Sequence, residues 1–522
     1  MTLTEGILLG LCVGLTAASW VTHRLAHHHW AVALLMGAAG SLRLLLIGRD
    51  QFLHPWDEQF HALVAKNLLD DWWRPVLRAN PVLPYDYRAW ANNYVWLHKQ
   101  PLFLWQMALS LKAVGVSEAA VRLPSALLGT LFVWPVYRLG RLAASASVGY
   151  YLAVLFTFAY YQLELTTGWQ SVDHADVAFG VYVGAALWAY AEQRRAGARA
   201  GRWVAAVGVF AGAALLCKWL PGLVVYAVWA GDVLLEPARR TWAEGRRALS
   251  ALALTALVAL PWQVYTHYRF PLESAYETRY AAQHFGHVLE GHGEPWHFYL
   301  GHNLWYQYQW LVVLVGVGLV AMYWRRTPGG CRRPLLWSGV LFFGFFSLAA
   351  TKMPSYTYVA APCILFLVAA AWAEGVAWLR RSTGRVALLL EGVLLLVVVG
   401  ADLRPTALLK HHTARFAAPA AQAERMAKQQ WAAAYHRLDQ AVPAGYVVFN
   451  ALNGTEIAAM FYSHRVVYAG WPTEAEYRVL SQQGLQLAAF APRENPLPAY
   501  LRQAAITLIP NPVLVEEESI PW

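Results

Sequence analysis

The sequence predicts an all-α polytopic membrane protein of about twelve transmembrane helices, with a small C-terminal α/β extracytoplasmic domain. Two observations predict the membrane part. Of the 522 residues, 58% are hydrophobic and only 14% are charged, and the mean hydropathy is +0.34. Soluble domains usually carry roughly 25% charged residues, so this chain has too little charge to cover a soluble surface. A third observation, the alternation of short strands and helices near the C-terminus, predicts the α/β domain.

Apolar runs that could cross a membrane recur along residues 1–403. A membrane helix needs about 20 mostly apolar residues. The first run has no basic n-region and no clear small-residue cleavage site, so we interpret it as a retained span rather than a signal peptide. The predicted spans lie at residues 3–22, 30–48, 120–139, 148–165, 174–191, 203–218, 220–235, 248–266, 304–324, 335–350, 356–374 and 386–402.

Arginine gives the orientation of these spans, because cytoplasmic connections carry an excess of Lys and Arg. The arginines fall at every second connection, which we therefore assign to the cytoplasm. The alternate connections, of which residues 49–119 and 267–303 are the longest, lie outside, and so does the tail. The arginine clusters are Arg24; Arg138 and Arg141; Arg194, Arg195, Arg199 and Arg202; Arg239, Arg240, Arg246 and Arg247; Arg325, Arg326, Arg332 and Arg333; and Arg380, Arg381 and Arg385.

The tail, residues 404–522, forms the predicted extracytoplasmic α/β domain, and residues 1–403 form the transmembrane domain. A basic amphipathic linker helix opens the tail, and short strands then alternate with helices. The loop after the first strand, NALNGT, lacks the GxGxxG pattern, so no nucleotide site is predicted. The predicted strands are Val447–Phe449, Val466–Tyr468, Gln486–Phe490 and Thr507–Ile509.

Cysteine usage and charge distribution exclude several other classes. Four cysteines are present and none has CxxC spacing, so neither a disulfide framework nor a cysteine-based zinc site is expected. The formal net charge of +10 comes from 41 basic and 31 acidic residues. The arginines sit in short connections between apolar runs rather than on one face, so the charge reflects membrane topology and not nucleic-acid binding.

Carboxylates stand at the outer mouths of two predicted spans. Asp57 and Glu58 follow the second span in HPWDE, and Asp173 and Asp176 precede the fifth in VDHAD. The latter pair, three residues apart, would share one face of a helix. Acids at a membrane boundary are costly to desolvate and commonly serve binding or catalysis. The alternative is helix N-terminal acids that cap the helix or complement its dipole.

Two lysines and a histidine-rich stretch also lie on the outer side. Lys99 precedes a short amphipathic helix in HKQPL, and Lys352 sits in the tight turn TKMPSY. Each could hold a phosphate as a point charge, and the alternative is a lysine that snorkels to the headgroups. Five histidines occupy residues 284–302, in a spacing that matches no zinc motif. A polar loop on the substrate side is favoured there, and a divalent metal is left open.

In this order, the segments resemble a known family. The chain is similar to the GT-C-type membrane glycosyltransferases that use a polyprenyl-phosphate sugar, within the lipid-A aminoarabinose transferase and protein O-mannosyltransferase group. The resemblance covers roughly residues 30–375 and rests on seven motifs. They are WDEQFHALVAKNLLDDWWRP, HKQPLFLWQMALSL, AVRLPSALLG, VDHADVAF, GVFAGAALLCKWLPG, GHGEPWHFYLGH and KMPSYTYVAAP.

The resemblance implies roles for particular residues. Asp57 matches the acid of the first outer loop, which acts as catalytic base or positions the acceptor. Asp176 matches the second acid, with Asp173 and Glu58 as further catalytic candidates. The chain departs from the family at His98, where many relatives carry an acid. The implied substrate-binding residues are Lys99, Lys352, His98, Tyr356, His292 and Trp296.

The predicted function is transfer of a sugar from a polyprenyl-phosphate donor to an extracytoplasmic acceptor, which is a lipid, glycan or protein hydroxyl. A carboxylate base and a single displacement would invert the anomeric centre. No cofactor is expected, since lysines can stabilise the departing phosphate. We expect residence in the cytoplasmic (inner) membrane, with membrane lipids around the spans. The alternative is a transporter that uses the same acids as a proton or ion relay; it predicts repeats and broken helices, and the sequence shows no repeat.

Overall fold

The computed structural model describes residues 2–167, 174–324, 331–383, 386, 389–393, 395–397, 419–452, 454–492, 496–502 and 504–512. Helices α1–α8 are Leu3–Arg24, His28–Ile47, Asp57–Asn67, Pro101–Val114, Glu118–Leu131, Val133–Ala143, Ala146–Phe158 and Tyr160–Thr167. Helices α9–α13 are His174–Gln193, Ala200–Lys218, Val224–Leu234, Trp242–Arg269 and Pro271–Gly286. Helices α14–α17 are Leu304–Tyr308, Leu311–Trp324, Arg332–Leu348 and Ala361–Thr383.

The first eleven predicted spans fold as helices, but the count of twelve membrane crossings is not confirmed. Within the described residues, six helices are long and apolar enough to cross a membrane, or seven if one bent pair is a single span. Several predicted spans are shorter or broken. The run 148–165, for example, divides into α7 and α8, because Ala159 between them has the extended ψ of 124°. The twelfth run, 386–402, lies partly outside the described residues.

A second break divides the predicted span 304–324, which is therefore not one continuous helix. The segments Tyr299–Tyr308 and Leu311–Met322 meet at a bend of 113°. Gln309, at the bend, has a left-handed φ of 46°, which a helix does not accommodate. The two segments of this run therefore point in different directions.

The arginine connections meet on one face, as their alternation in the sequence predicts. Glu391 pairs with both Arg24 (2.8 Å) and Arg380 (3.0 Å), which belong to the first and last clusters. Arg194 pairs with Glu236 at 2.6 Å, and Arg333 approaches the same carboxylate at 3.9 Å. These ion pairs join connections that are far apart in sequence, so they lie at one end of the helix bundle.

The described tail contains the α/β unit that the sequence predicts. Strands β1–β4 are Tyr446–Phe449, Val466–Val467, Gln486–Phe490 and Ile506–Ile509, and all three pairings in the sheet are parallel, in the order β2-β1-β3-β4. Helices α18–α21 are Pro419–His436, Leu438–Ala441, Glu456–Tyr462 and Glu474–Gln482. The predicted boundary at residues 403 and 404 falls outside the described residues, whereas the helix predicted before the first strand is described as α18.

The tail lies on the same side as the first long connection, residues 49–119. One hydrophobic cluster contains Phe60 and Leu63 of α3 together with Ile457 and Phe461 of α20. Lys66 of α3 also donates to three carbonyls of the tail. A continuous apolar core of this kind fixes the two parts together, so the tail covers the end of the bundle where α3 begins.

Candidate active site

Asp57 begins α3 at the end of an irregular loop. Trp56, just before it, has φ 64° and is 62% exposed; a bulky residue adopts this left-handed conformation only when its surroundings hold it there. The Asp57 carboxylate is partly open, with 26% of its side chain exposed. Its Oδ1 lies 3.4 Å from the Nζ of Lys99 and 3.9 Å from the Nε2 of His61, one helical turn later.

Lys99 reaches Asp57 because of how α4 begins. Pro101 occupies the first turn of α4, where a missing N–H costs nothing, and Gln100 before it is extended, with ψ 156°. Gln100 also accepts a 2.6 Å hydrogen bond from Gln263 of α12. The lysine therefore stands in a held turn between α4 and the loop, with 21% of its side chain exposed.

Glu58 has a different environment from its neighbour. Its carboxylate is fully buried and accepts hydrogen bonds from Arg122 (2.8 and 3.0 Å) and from the backbone N–H of His54 (2.6 Å). The ring of His174 lies 3.2 Å from the same group. Burial alone would raise the pKa of Glu58, but Arg122 and His174 hold it well below its ordinary value. This saturated ion pair favours a positioning role, joining α3 to α5 and α9.

Asp176 lies in the first turn of α9, two residues after His174. It is buried, with 2% exposure, and its Oδ1 forms an ion pair with the Nζ of Lys218, in the last turn of α10. The same ammonium stands 4.0 Å from the ring centroid of Tyr356. Asp173, the other acid predicted here, lies outside the described residues.

Lys218 is the functional candidate that sequence reasoning missed. The signal for it was present, because a lone lysine ends the apolar helix α10 beside the turn WLPG on the predicted outer side. A charge at the end of an apolar helix is often a snorkelling group, and only its contacts with Asp176 and Tyr356 distinguish it from that case.

Helix α13 brings the second long outer connection against the first. His98 stacks on Trp90 at 5.2 Å, and its Nδ1 lies 3.2 Å from the Oε2 of Glu277 on α13. An acid from α13 thus stands next to His98. One turn on, Tyr280 donates to Glu290 at 2.7 Å.

His284, at the end of α13, shows how the cations are arranged. Its pKa is lowered, first by burial and then by the positive charges of His98, Lys99 and Lys218, against an opposing effect of Glu290. The ammonium groups of Lys99, in the turn before α4, and Lys218, in the last turn of α10, therefore both act electrostatically on His284. Like charges brought together at a partly open site are a suitable arrangement for binding an anion.

The other predicted binding residues lie in the turn after α16 and in the connection between α13 and α14. The Nζ of Lys352 donates to the carbonyl of Ala349 at 2.6 Å and is buried, and its backbone N–H donates to His292 at 2.9 Å. Trp296 is 69% exposed, with its ring against His297. The contacts that the structure describes for Lys352, His292 and Trp296 include neither Asp57 nor Asp176. The binding roles of these three residues therefore stay predictions.

The histidine-rich connection was the expected place for any metal. Residues 267–303 are all described, and across the described chain no group of three or more His, Cys, Asp or Glu side chains is placed to hold a metal ion. Metal-free transfer stays a prediction. Positive charge beside the acids is offered by Lys99, next to Asp57, and by Lys218, next to Asp176.

Comparison with known proteins identifies similar sequences. Residues 98–265, about a third of the chain, match the family described as dolichyl-phosphate-mannose-protein mannosyltransferase. The undecaprenyl phosphate-alpha-4-amino-4-deoxy-L-arabinose arabinosyl transferase 1 of Pseudomonas fluorescens (strain Pf0-1) is 29% identical over 289 residues. The match covers 54% of this chain and 48% of the relative, so the chain spans about half the length of the curated relative it matches.

Two solved structures share the fold. ArnT from Cupriavidus metallidurans, bound to undecaprenyl phosphate, superposes with a TM-score of 0.61 at 14% identity, over 86% of this chain and 88% of that one. The archaeal oligosaccharyltransferase AglB from Archaeoglobus fulgidus, in complex with an inhibitory peptide and a dolichol-phosphate, gives 0.56 at 12% identity, over 87% and 69%. The predicted resemblance to membrane glycosyltransferases is therefore confirmed, and the transporter alternative gains no support.

Proposed function

We propose that this protein is an integral membrane glycosyltransferase, which moves a sugar from a polyprenyl-phosphate donor to a hydroxyl of an extracytoplasmic lipid, glycan or protein. The observation that carries the proposal is the pairing of a partly open carboxylate, Asp57, with the ammonium of Lys99, 3.4 Å away at the end of the bundle opposite the arginines. A base beside a cation is what transfer from a phosphate leaving group requires.

In the proposed reaction Asp57 is the base. The acceptor O–H gives its proton to the Asp57 carboxylate while the oxygen attacks the anomeric carbon. The bond between that carbon and the phosphate oxygen breaks, and its electron pair leaves with the polyprenyl phosphate. A single displacement of this kind inverts the anomeric centre. Asp57 is favoured over Asp176 because its side chain is 26% exposed, whereas Asp176 is buried against Lys218.

The cations have the complementary task. Lys99 and Lys218 both act on the site around His284, and there they would stabilise the negative charge that develops on the phosphate. A charge-assisted contact of this type is typically worth about 1.5–3 kcal/mol. Asp176 holds Lys218 in place, so it contributes by positioning a cation rather than by taking the proton.

The orientation of the site completes the proposal. The positive-inside rule places the arginine end in the cytoplasm, so Asp57, Lys99 and the α/β tail face the extracytoplasmic side of the inner membrane. The shared fold with ArnT, whose structure holds undecaprenyl phosphate, supports a polyprenyl-phosphate donor for this chain.

The test replaces Asp57 by Asn, which keeps the size of the side chain but cannot take the proton. Purified Asp57→Asn should fold and bind donor lipid normally, and it should lose about 10²–10⁴-fold in transfer rate with a lipid-linked sugar pool. Mass spectrometry of lipids, glycans and surface proteins from cells with and without the protein supplies the acceptor for this assay.

The matched control is Asp86→Asn. Asp86 is a surface carboxylate of the same outer connection and pairs with Arg88 at 3.0 Å, so its replacement should leave the rate unchanged. Trp56 is the N-cap of α3, so if Asp57 only complements the helix dipole, its replacement by Asn would cost about 0.3–1 kcal/mol of stability and leave the rate near normal. Near-normal turnover by Asp57→Asn would sink the assignment and make Asp176 the next candidate for the base.

A further inference from the structure

We infer that the C-terminal α/β domain positions Asp57, because it holds both the loop that leads to this residue and the helix that it begins. The inference rests on the proposed role of Asp57 as the base. Residues 48–56, all described, consist of turns and irregular backbone, so the position of Asp57 depends on contacts that this loop makes with other parts of the chain.

The domain contacts the loop at two points. The hydroxyl of Tyr462, at the end of α20, accepts the backbone N–H of Leu53 at 3.0 Å and donates to Glu118 at 2.8 Å. Arg425 of α18 forms an ion pair with Asp50. The other carboxylate oxygen of Asp50 lies 3.2 Å from the ring of His54. The loop is thus tied to the domain at both Asp50 and Leu53, a few residues before Asp57.

The domain also holds the helix that follows. The Nζ of Lys66, near the end of α3, donates to the carbonyls of Met460 (3.0 Å), Phe461 (2.8 Å) and Ser463 (2.7 Å). The last carbonyls of a helix have no partner within it and carry partial negative charge, so the lysine closes the end of α20. Burial lowers the pKa of Lys66 to about 8.

A third contact lies farther along the outer connection. Arg78 is buried, donates to the carbonyl of Val467 at 2.7 Å, and lies 4.5 Å from the ring centroid of Tyr468. Together with the shared apolar core of α3 and α20, these bonds form an interface much larger than a flexible tether requires. We call this set of contacts the domain brace; it comprises Asp50, Leu53, Lys66 and Arg78 on one side and Arg425, Met460, Phe461, Tyr462, Ser463 and Val467 on the other.

The membrane helices hold Asp57 from the other direction. Glu58 is fixed by Arg122 of α5, so Asp57 stands between that buried ion pair and the domain brace. Arg122 also donates to the carbonyls of Asp50 and Phe52, each at 2.7 Å, so it holds the loop from the membrane side. Loosening the brace would leave these bonds and Glu58 in place and free only the side of the loop that faces the domain. Small misplacements of a reacting group cost much of its rate, so the brace should affect the chemical step more than donor binding.

The experiment removes one hydroxyl from the brace. In Tyr462→Phe, backbone amide hydrogen exchange over residues 50–57 should rise by about fivefold or more, since Leu53 loses its acceptor. The kcat for transfer should fall by about tenfold with the KM for donor lipid unchanged. The matched control is Tyr500→Phe, which removes a hydroxyl that donates to the carbonyl of Pro472 within the domain and should change neither quantity.

The two readouts separate this inference from the proposed function. Faster exchange with lower kcat supports the inference, whereas unchanged exchange, or faster exchange with normal kcat, overturns it. If the wild-type protein transfers no sugar, the proposed function fails, and the exchange rates still decide whether the domain holds the loop. Should Tyr462→Phe fail to fold, Lys66→Gln gives the same two measurements at the other end of α3.

Discussion

Two adjacent acids show how strongly the surroundings of a residue decide its role. Asp57 and Glu58 are indistinguishable in sequence as carboxylates at the mouth of a span. In the folded chain Glu58 is fully buried against Arg122, while Asp57 keeps 26% of its side chain exposed beside Lys99. A carboxylate enclosed in a buried ion pair cannot accept a substrate proton without breaking that pair. We therefore propose proton transfer as the role of Asp57 and positioning as the role of Glu58.

At the same scale, Lys218→Met tests the cation that the sequence did not single out. If Lys218 binds the donor phosphate as proposed, loss of its ammonium should lower kcat/KM for donor lipid by about ten- to a hundredfold. The matched control is Lys112→Met, because Lys112 stands 5.8 Å from the ring of Trp72 and is exposed. Steady-state rates at varied donor concentration give kcat/KM for both variants. Equal effects of the two substitutions would remove Lys218 from the phosphate site.

The elements of the molecule contribute mainly through their ends. Asp57 begins α3, Asp176 lies in the first turn of α9, and Lys218 lies in the last turn of α10. The interiors of α9 and α10 are apolar and pack against each other, which fixes where those ends meet. The same rule holds in the tail, where Lys66 closes the end of α20. A site built in this way needs long helices for placement and only a few residues for chemistry.

At the scale of elements, acid should loosen the join between α19 and β2. The carboxylate of Asp439 accepts a hydrogen bond from the backbone N–H of His464 at 3.0 Å. It also lies 2.7 Å from Nδ1 of the His464 ring. Burial raises the pKa of Asp439, but His464 and Arg465 lower it by more, so the pKa lies below its ordinary value. A carboxyl whose pKa is depressed on folding stabilises the fold above its ordinary pKa of about 4, and this is lost as the pH falls through the depressed value.

Hydrogen exchange over residues 438–467 of the full-length protein measures this effect. Between pH 7 and pH 3, wild type should lose more protection, after correction for intrinsic exchange, than Asp439→Asn, which has no charge to lose. The control is Glu474→Gln, where the acid pairs with Arg478 on the surface at 2.6 Å; a pair so exposed contributes little. An equal loss of protection in wild type and Asp439→Asn would contradict the assignment.

The whole molecule is organised by the separation of its two ends. Arginine connections distant in sequence share acids such as Glu391 and Glu236 at one end. Asp57, Asp176 and the α/β tail gather at the other. This polarity orients the chain in the membrane and places every proposed reacting group on one side, as a reaction with a membrane-embedded donor and a water-facing acceptor requires.

Reporter fusions test that orientation for the whole chain. Fusions after residues 245 and 330 should report the cytoplasm, because both points lie within arginine clusters, and one after residue 522 should report the exterior. Alkaline phosphatase and green fluorescent protein fusions give opposite signals for the two compartments. A cytoplasmic C-terminus would reverse the orientation and, with it, the side of the membrane on which the site lies.

The sequence by itself determined the membrane class, the positions of the apolar helices and the α/β character of the tail. These properties follow from hydrophobic content, run length and strand patterning, which are local. It also identified Asp57, Asp176 and Lys99 as site candidates through their motifs. Helix breaks such as those at Ala159 and Gln309 were not predicted, because neither position carries a proline or glycine to mark it.

Only the tertiary structure decided which of these groups act together. It enclosed Glu58 with Arg122, brought Lys218 to Asp176, turned the ammonium of Lys352 to the carbonyl of Ala349, and placed the tail against α3. No local sequence pattern specifies these contacts or the direction in which the Lys352 side chain points. Burial and charge pairing depend on neighbours far away in sequence, so the division between reacting and positioning residues appears only once the helices have packed.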